Sequence, residues 1–119
     1  MYQIHFYRDR RGREPVSEYL EELAAKQDKD SRVKLRKIQD YINAIEEYGT
    51  AAGKPYIDHI SGEIWELRPL RDRIFFVAWN GDSFVLLHHF MKKTQKTPRN
   101  EIEQARRELE DLRERGDYS

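Results

Sequence analysis

The sequence predicts a single α+β domain: an N-terminal strand and a helical hairpin packed on an antiparallel sheet, closed by a C-terminal helix. Three observations carry this. Apolar residues recur at helical spacing in two neighbouring stretches, Val16 to Ala24 and Val33 to Tyr48. Alternating and aromatic-rich runs then crowd the segment from Tyr56 to Met91, and a last helical stripe of Ile102, Ala105, Leu109 and Leu112 follows them. Strands grouped between helices, without a regular strand–helix alternation, point to α+β. A chain of 119 residues is long enough for one core and too short for two, so residues 1–119 are read as one domain.

Taken in order, Tyr2 to Tyr7 sets Tyr2, Ile4 and Phe6 against Gln3, His5 and Tyr7, the period of a half-buried strand. Arg8 to Glu14 is a charged loop broken at Gly12, and Pro15 suits the first turn of a helix whose stripe is Val16, Tyr19, Leu20, Leu23 and Ala24. A polar break at Gln27 to Asp30 leads to the longest helix, with Asp30 or Ser31 as its cap. Its stripe is Val33, Leu35, Ile38, Tyr41, Ile42, Ile45 and Tyr48, and Gly49 ends it. Strands are expected at Tyr56 to Ile60, Ile64 to Pro69, Asp72 to Asn80 and Ser83 to Met91. The last two are joined by Asn80-Gly81, a pair suited to a type I′ turn. Thr97-Pro98 opens the final helix, for which Asn100 and Glu103 offer a capping box, and the pattern dissolves into a frayed tail from Arg113.

Hydrophobic residues are 38% and charged residues 37%, so the composition is that of a soluble globular protein. No apolar run reaches the roughly 18–20 residues of a membrane span, and Met1 to Tyr7 lacks a secretory layout. With no cysteine, thiolate chemistry and disulfides are excluded, and a cytoplasmic location is expected. The formal net charge is zero, yet the charges are unevenly placed. Glu101 to Asp117 holds seven acids against four arginines, while Leu86 to Arg99 contains Lys92, Lys93, Lys96 and Arg99 with no acid. A wholly positive run in a neutral chain suits a nucleic-acid phosphate.

On strand alternation, Phe84, Leu86, His88 and Phe90 share one face of the last strand, and Val85, Leu87, His89 and Met91 the other. The lysines emerge at its end, and a meander brings Arg68, Arg71 and Arg73 to the same rim. Guanidinium groups give planar paired contacts to phosphate and ammonium groups give point charge. Histidine, or a lysine crowded by like charge, could exchange a proton with a ribose hydroxyl or a leaving oxygen. No ligand spacing suggests a metal and no cofactor is implied. Plainer readings of the same residues stand beside this one. On sequence alone the lysine run is more often a solvated connector, and His88 and His89 read equally as a core histidine and its exposed neighbour. Arg68 reads equally as the partner of Glu66 or Asp72 in a structural ion pair.

Glu66-Leu67-Arg68, Arg73 in the next strand, the run Leu87-His88-His89-Phe90-Met91-Lys92-Lys93-Thr94-Gln95-Lys96-Thr97-Pro98, and then Glu101, Ile102 and Ala105 form a pattern. It resembles the HigB-like, phage-derived branch of the RelE/ParE toxin superfamily, over nearly the whole chain. The chain departs from that pattern at His89, where relatives carry a small residue. The resemblance implies a RelE-like fold and the toxin of a type II toxin–antitoxin system. It implies a metal-independent, ribosome-dependent mRNA endoribonuclease that inhibits translation through attack of a ribose 2′-hydroxyl on the adjacent phosphate. Carried over, Arg68 and Arg73 would hold the scissile phosphate, and Lys92, Lys93 and, as a weaker acid–base candidate, His88 would complete the catalytic set. Arg71, His89, Lys96 and Arg99 would contact RNA. The implied partners are a helix-turn-helix, HigA-like antitoxin, in a complex expected to be a heterotetramer, and mRNA on the ribosome. Two alternatives remain at this level: a ParE-like gyrase poison and a noncatalytic RNA-binding module.

Overall fold

The computed structural model describes residues 1–116. In chain order the elements are β1 (Gln3–Phe6), α1 (Pro15–Ala25), α2 (Lys29–Tyr48), β2 (Ile57–Ser61), β3 (Ile64–Leu67), β4 (Asp72–Trp79), β5 (Ser83–Met91) and α3 (Arg99–Arg115), with a short 3₁₀ turn at Gly49–Ala52. The five strands form one sheet in the order β1-β5-β4-β3-β2. β2 to β5 make the antiparallel meander that the tight connections require. β1 adds to its edge parallel to β5, so the sheet is mixed, and the helical hairpin carries the chain from β1 at one edge to β2 at the other. This is the α+β architecture expected of a RelE-like fold.

Each sheet face has its own core. On one side Val16 and Leu23 of α1 and Ile38, Ile42 and Ile45 of α2 pack against Ile57, Leu67, Ile74, Phe76, Phe84 and Leu86. On the other, Ala105, Leu109 and Leu112 of α3 cover Ile64, Phe75, Val77, Val85, Leu87 and Phe90. Covering on both faces explains why β4 and β5 read as nearly continuous apolar runs.

Several local expectations are corrected. The cap of α2 is Asp28, whose carboxylate accepts from the Ser31 amide at 2.9 Å and the Ser31 hydroxyl at 2.9 Å. α3 has Pro98 at its N-cap with no side-chain cap, so the Asn100–Glu103 box does not form. Nor does the chain fray at Arg113. The helix runs to Arg115 and is closed by Gly116 in the left-handed conformation, with Arg113 paired to Glu63 and Arg115 to Asp111. The expected tail beyond Gly116 lies outside the described residues. Val33 and Tyr48, placed on the α2 stripe by their spacing, are exposed.

The alternation along β5 is also broken. The β4–β5 register pairs Phe75 with His88 but Phe76 with Leu86, which leaves Leu87 as an extra residue. Leu86 faces the helical hairpin, whereas Leu87, His88 and Phe90 all fall on the α3 side. The bulge therefore moves His88 and Phe90 off the face that they were expected to share with Phe84 and Leu86.

Gly49 illustrates how tightly β1 and α2 are joined. Its φ is +59°, and a Cβ there would lie 2.8 Å from the Tyr2 ring. Gly49→Ala is expected to cost at least about 1 kcal/mol of unfolding free energy in urea titration. Part of that loss should be recovered in a Tyr2→Ala background, where only the backbone strain remains.

Candidate functional site

β3 ends at Leu67, β4 begins at Asp72 and β5 ends at Met91, so all three strands stop at one end of the sheet. Backbone hydrogen bonds continue the ladder into the loops: the Arg68 amide donates to Tyr56 O at 2.9 Å and the Lys92 amide to Arg71 O at 2.9 Å. These bonds bring segments distant in sequence into register. Arg68, Arg71, Arg73, Lys92 and Lys93, with Thr94 and Gln95, line an open basin of about 660 Å³.

Two buried acids adjoin the arginines, Glu66 and Asp72, the latter accepting from the Tyr19 hydroxyl. Glu66, only 1% exposed, faces Arg68 Nε at 3.7 Å and Arg73 Nε at 3.8 Å. Both separations are too long for hydrogen bonds, and Glu66 Oε1, Arg68 Nε and Arg73 Nε have no hydrogen-bond partner among the described residues. Burial pushes the Glu66 carboxyl above its ordinary range against the pull of Lys92, Arg73 and Arg68. Burial likewise lowers the Arg73 guanidinium, opposed chiefly by Glu66. Desolvation thus outweighs attraction for both partners, and the group is not arranged to maximise stability. Arg73 is anchored through Nη1, which donates to the carbonyl oxygens of Leu70 and Asp72 at 2.8 Å each. Its side chain is 11% exposed, while that of Arg68 is 28% exposed and more available to a ligand.

The lining carries five positive side chains against two buried carboxylates beside it, Glu66 and Asp72, an excess that calls for an anion. The open form and the mixture of guanidinium and ammonium groups suit a phosphate on a flexible polymer. Positive groups fixed on strand ends are also already in place to stabilise charge that develops on a phosphorane.

The other sequence candidates lie elsewhere. His88 is buried on the α3 side, with Nδ1 2.6 Å from Glu108 Oε1 and Nε2 3.1 Å from Glu101 Oε1. A neutral imidazole has one N–H, so satisfying both carboxylates as acceptors requires the imidazolium. Burial opposes that charge most strongly, but the hydrogen bonds and charges of Glu108 and Glu101 together overcome it and raise the pKa. His88 ties β5 to α3 and does not reach the basin lining. His89 points to the opposite face, stacked on Tyr19 with centroids 3.6 Å apart, and burial lowers its pKa. Lys96 lies in the exposed loop, where its carbonyl accepts from Thr94 Oγ1 at 2.8 Å, and Arg99 begins α3; neither lines the basin.

Glu66 was legible only as a partner for Arg68. Its burial under two guanidiniums depends on β3 lying inside the sheet, which no local pattern encodes; an acid inside an apolar strand, two residues before an arginine, was the available signal. Among the described residues no helix is long and apolar enough to cross a membrane.

The family model described as Phage derived protein Gp49-like (DUF891) matches residues 18–110, a span that runs from α1 into α3 and contains every residue of the basin. No curated protein gives a significant match. With most of its length matched, the chain belongs to the phage-derived Gp49-like family.

Proposed function

We propose that this chain is the toxin of a type II toxin–antitoxin pair, an endoribonuclease that stops translation by cutting mRNA on the ribosome. The observation that carries this reading is the basin itself: five cations from three strand ends and their loops, converging beside buried Glu66 and outnumbering the acids near them. Membership of the Gp49-like family, RelE/HigB-like in kind, supports the toxin class.

In this reading a ribose 2′-hydroxyl attacks the adjacent phosphorus, its proton passing to a base, and the bond to the 5′-oxygen breaks. The products are a 2′,3′-cyclic phosphate and a 5′-hydroxyl. Arg68 and Arg73 meet the charge gathering on the non-bridging oxygens, and Lys92 and Lys93 add charge near the leaving oxygen, where an ammonium can also give a proton. A shallow basin orients a flexible strand poorly on its own, so a ribosome that presents mRNA in a fixed path supplies the missing positioning. The partner that restrains the toxin is a helix-turn-helix antitoxin of the HigA-like kind.

Brief expression in bacterial cells tests this reading. Protein synthesis should stop while plasmid supercoiling stays normal, and Lys92→Ala/Lys93→Ala should restore growth. With purified protein, the same double variant should reduce the slope of log affinity for single-stranded RNA against log salt by about 1.4, at roughly 0.7 for each phosphate no longer neutralised. Arrest accompanied by altered supercoiling would instead identify a gyrase poison.

A further inference from the structure

The two arginines of the basin have a second side. Arg68 and Arg73 also line a separate open cleft of about 320 Å³, whose other walls are Tyr41, Pro55 and Leu70. The basin is walled by charge, whereas this cleft offers an aromatic ring, a proline ring and a branched aliphatic chain. Resting on the reading of the basin as an RNA phosphate site, we propose that the cleft is a nucleobase subsite. It receives the base of the nucleotide whose phosphate lies on Arg68 and Arg73.

Three observations carry this. First, the guanidiniums are shared, so a ligand with a charged group in the basin has its neighbouring group directed to the cleft; in a nucleotide that neighbour is flat, apolar on its faces and polar at its edges. Guanidinium planes themselves accept a stacked base. Second, Leu70 is 49% exposed and has φ +57°, a conformation rare for a branched side chain. The core gains little from this arrangement. It does turn the Leu70 carbonyl onto Arg73 Nη1, at 2.8 Å, while the side chain forms the cleft wall. One strained turn thus fixes both the phosphate-side arginine and the apolar wall. Third, Tyr41 is held in place: Tyr56 meets it edge-on at 4.9 Å between centroids, and Lys37 Nζ lies 5.9 Å from its ring centre.

The test uses the purified full chain and two 2′-O-methyl hexaribonucleotides, which cannot be cut by 2′-hydroxyl attack. One is intact and the other is abasic at its central residues, so the number of phosphates is the same. Inorganic phosphate serves as competitor and reports the basin separately. The intact hexamer should bind about tenfold more tightly than the abasic one, in line with the affinity typical of a stacked base. Leu70→Asn tolerates positive φ and keeps the carbonyl in place; it should weaken the intact hexamer about tenfold, leaving the abasic hexamer and phosphate competition unchanged. Equal binding of the two hexamers, or equal weakening of both by Leu70→Asn, overturns the subsite while the basin stands. If neither hexamer binds and phosphate does not compete, the basin reading fails and the subsite falls with it.

Discussion

Arg68→Ala is expected to lower the rate of RNA cleavage by about 10²–10³-fold, the usual cost of removing one preorganised group that stabilises a charged transition state. Its fold should be nearly intact. Arg68 is the more exposed of the two guanidiniums, makes no backbone hydrogen bond like those of Arg73, and is the weaker of the two guanidinium countercharges of Glu66, so its loss costs less than that of Arg73. Arg73→Ala should abolish cleavage as well, but less cleanly. Removing Arg73 breaks its bonds to the Leu70 and Asp72 carbonyls and takes away a countercharge of buried Glu66, so the protein should also melt earlier. Arg68→Lys keeps the charge and loses the planar fork, and should fall between wild type and Arg68→Ala. Single-turnover cleavage of ribosome-bound mRNA beside thermal unfolding of each variant separates the two effects. Full activity in Arg68→Ala would remove the basin from the chemistry.

The largest loss of stability is expected from His88→Ala, about 3–5 kcal/mol, because it leaves the buried Glu108 carboxylate and the half-buried Glu101 facing each other across an empty site. For a domain of this size that is on the order of 10–20 °C in Tm. The same ring gives the wild type a pH signature. Its folded pKa lies above the ordinary imidazole value of about 6.5, so the stabilisation is fully present below that pH and is lost as pH rises through the folded value. Wild-type Tm should therefore fall from pH 6 towards the alkaline side relative to His88→Gln, which lacks the titrating ring. Measured at a temperature where it is folded, His88→Gln should cut RNA at close to the wild-type rate, because His88 is outside the basin. A large loss of rate in a folded His88 variant would return the histidine to the catalytic set.

Periodicity made the helices legible because each buries a stripe that local spacing records, and Asn80-Gly81 marked the hairpin because both residues do take positive φ, +56° and +76°. The meander followed from short connections, and with it the meeting of Arg68, Arg71, Arg73, Lys92 and Lys93. What escaped depends on pairing at a distance. Nothing local says that Gln3 to Phe6 will lie parallel to Ser83 to Leu86, and nothing in Leu86-Leu87-His88 marks which leucine is the extra residue. That single bulge decided the fate of His88, which looked like a residue at a polar strand end and is instead locked between two glutamates of α3. The lysine run reads as one unit, but β5 ends at Met91 and only its first two lysines stay beside the arginines.

The most direct measurement of the central claim is a map of new mRNA 5′ ends after brief expression of wild type and of Arg68→Ala in bacterial cells. The account predicts 5′-hydroxyl ends at codon-phased positions within translated regions for the wild type and their disappearance in the variant, with both proteins present at equal levels. Growth arrest by the wild type with mRNA intact, or the same cuts in both strains, would contradict it.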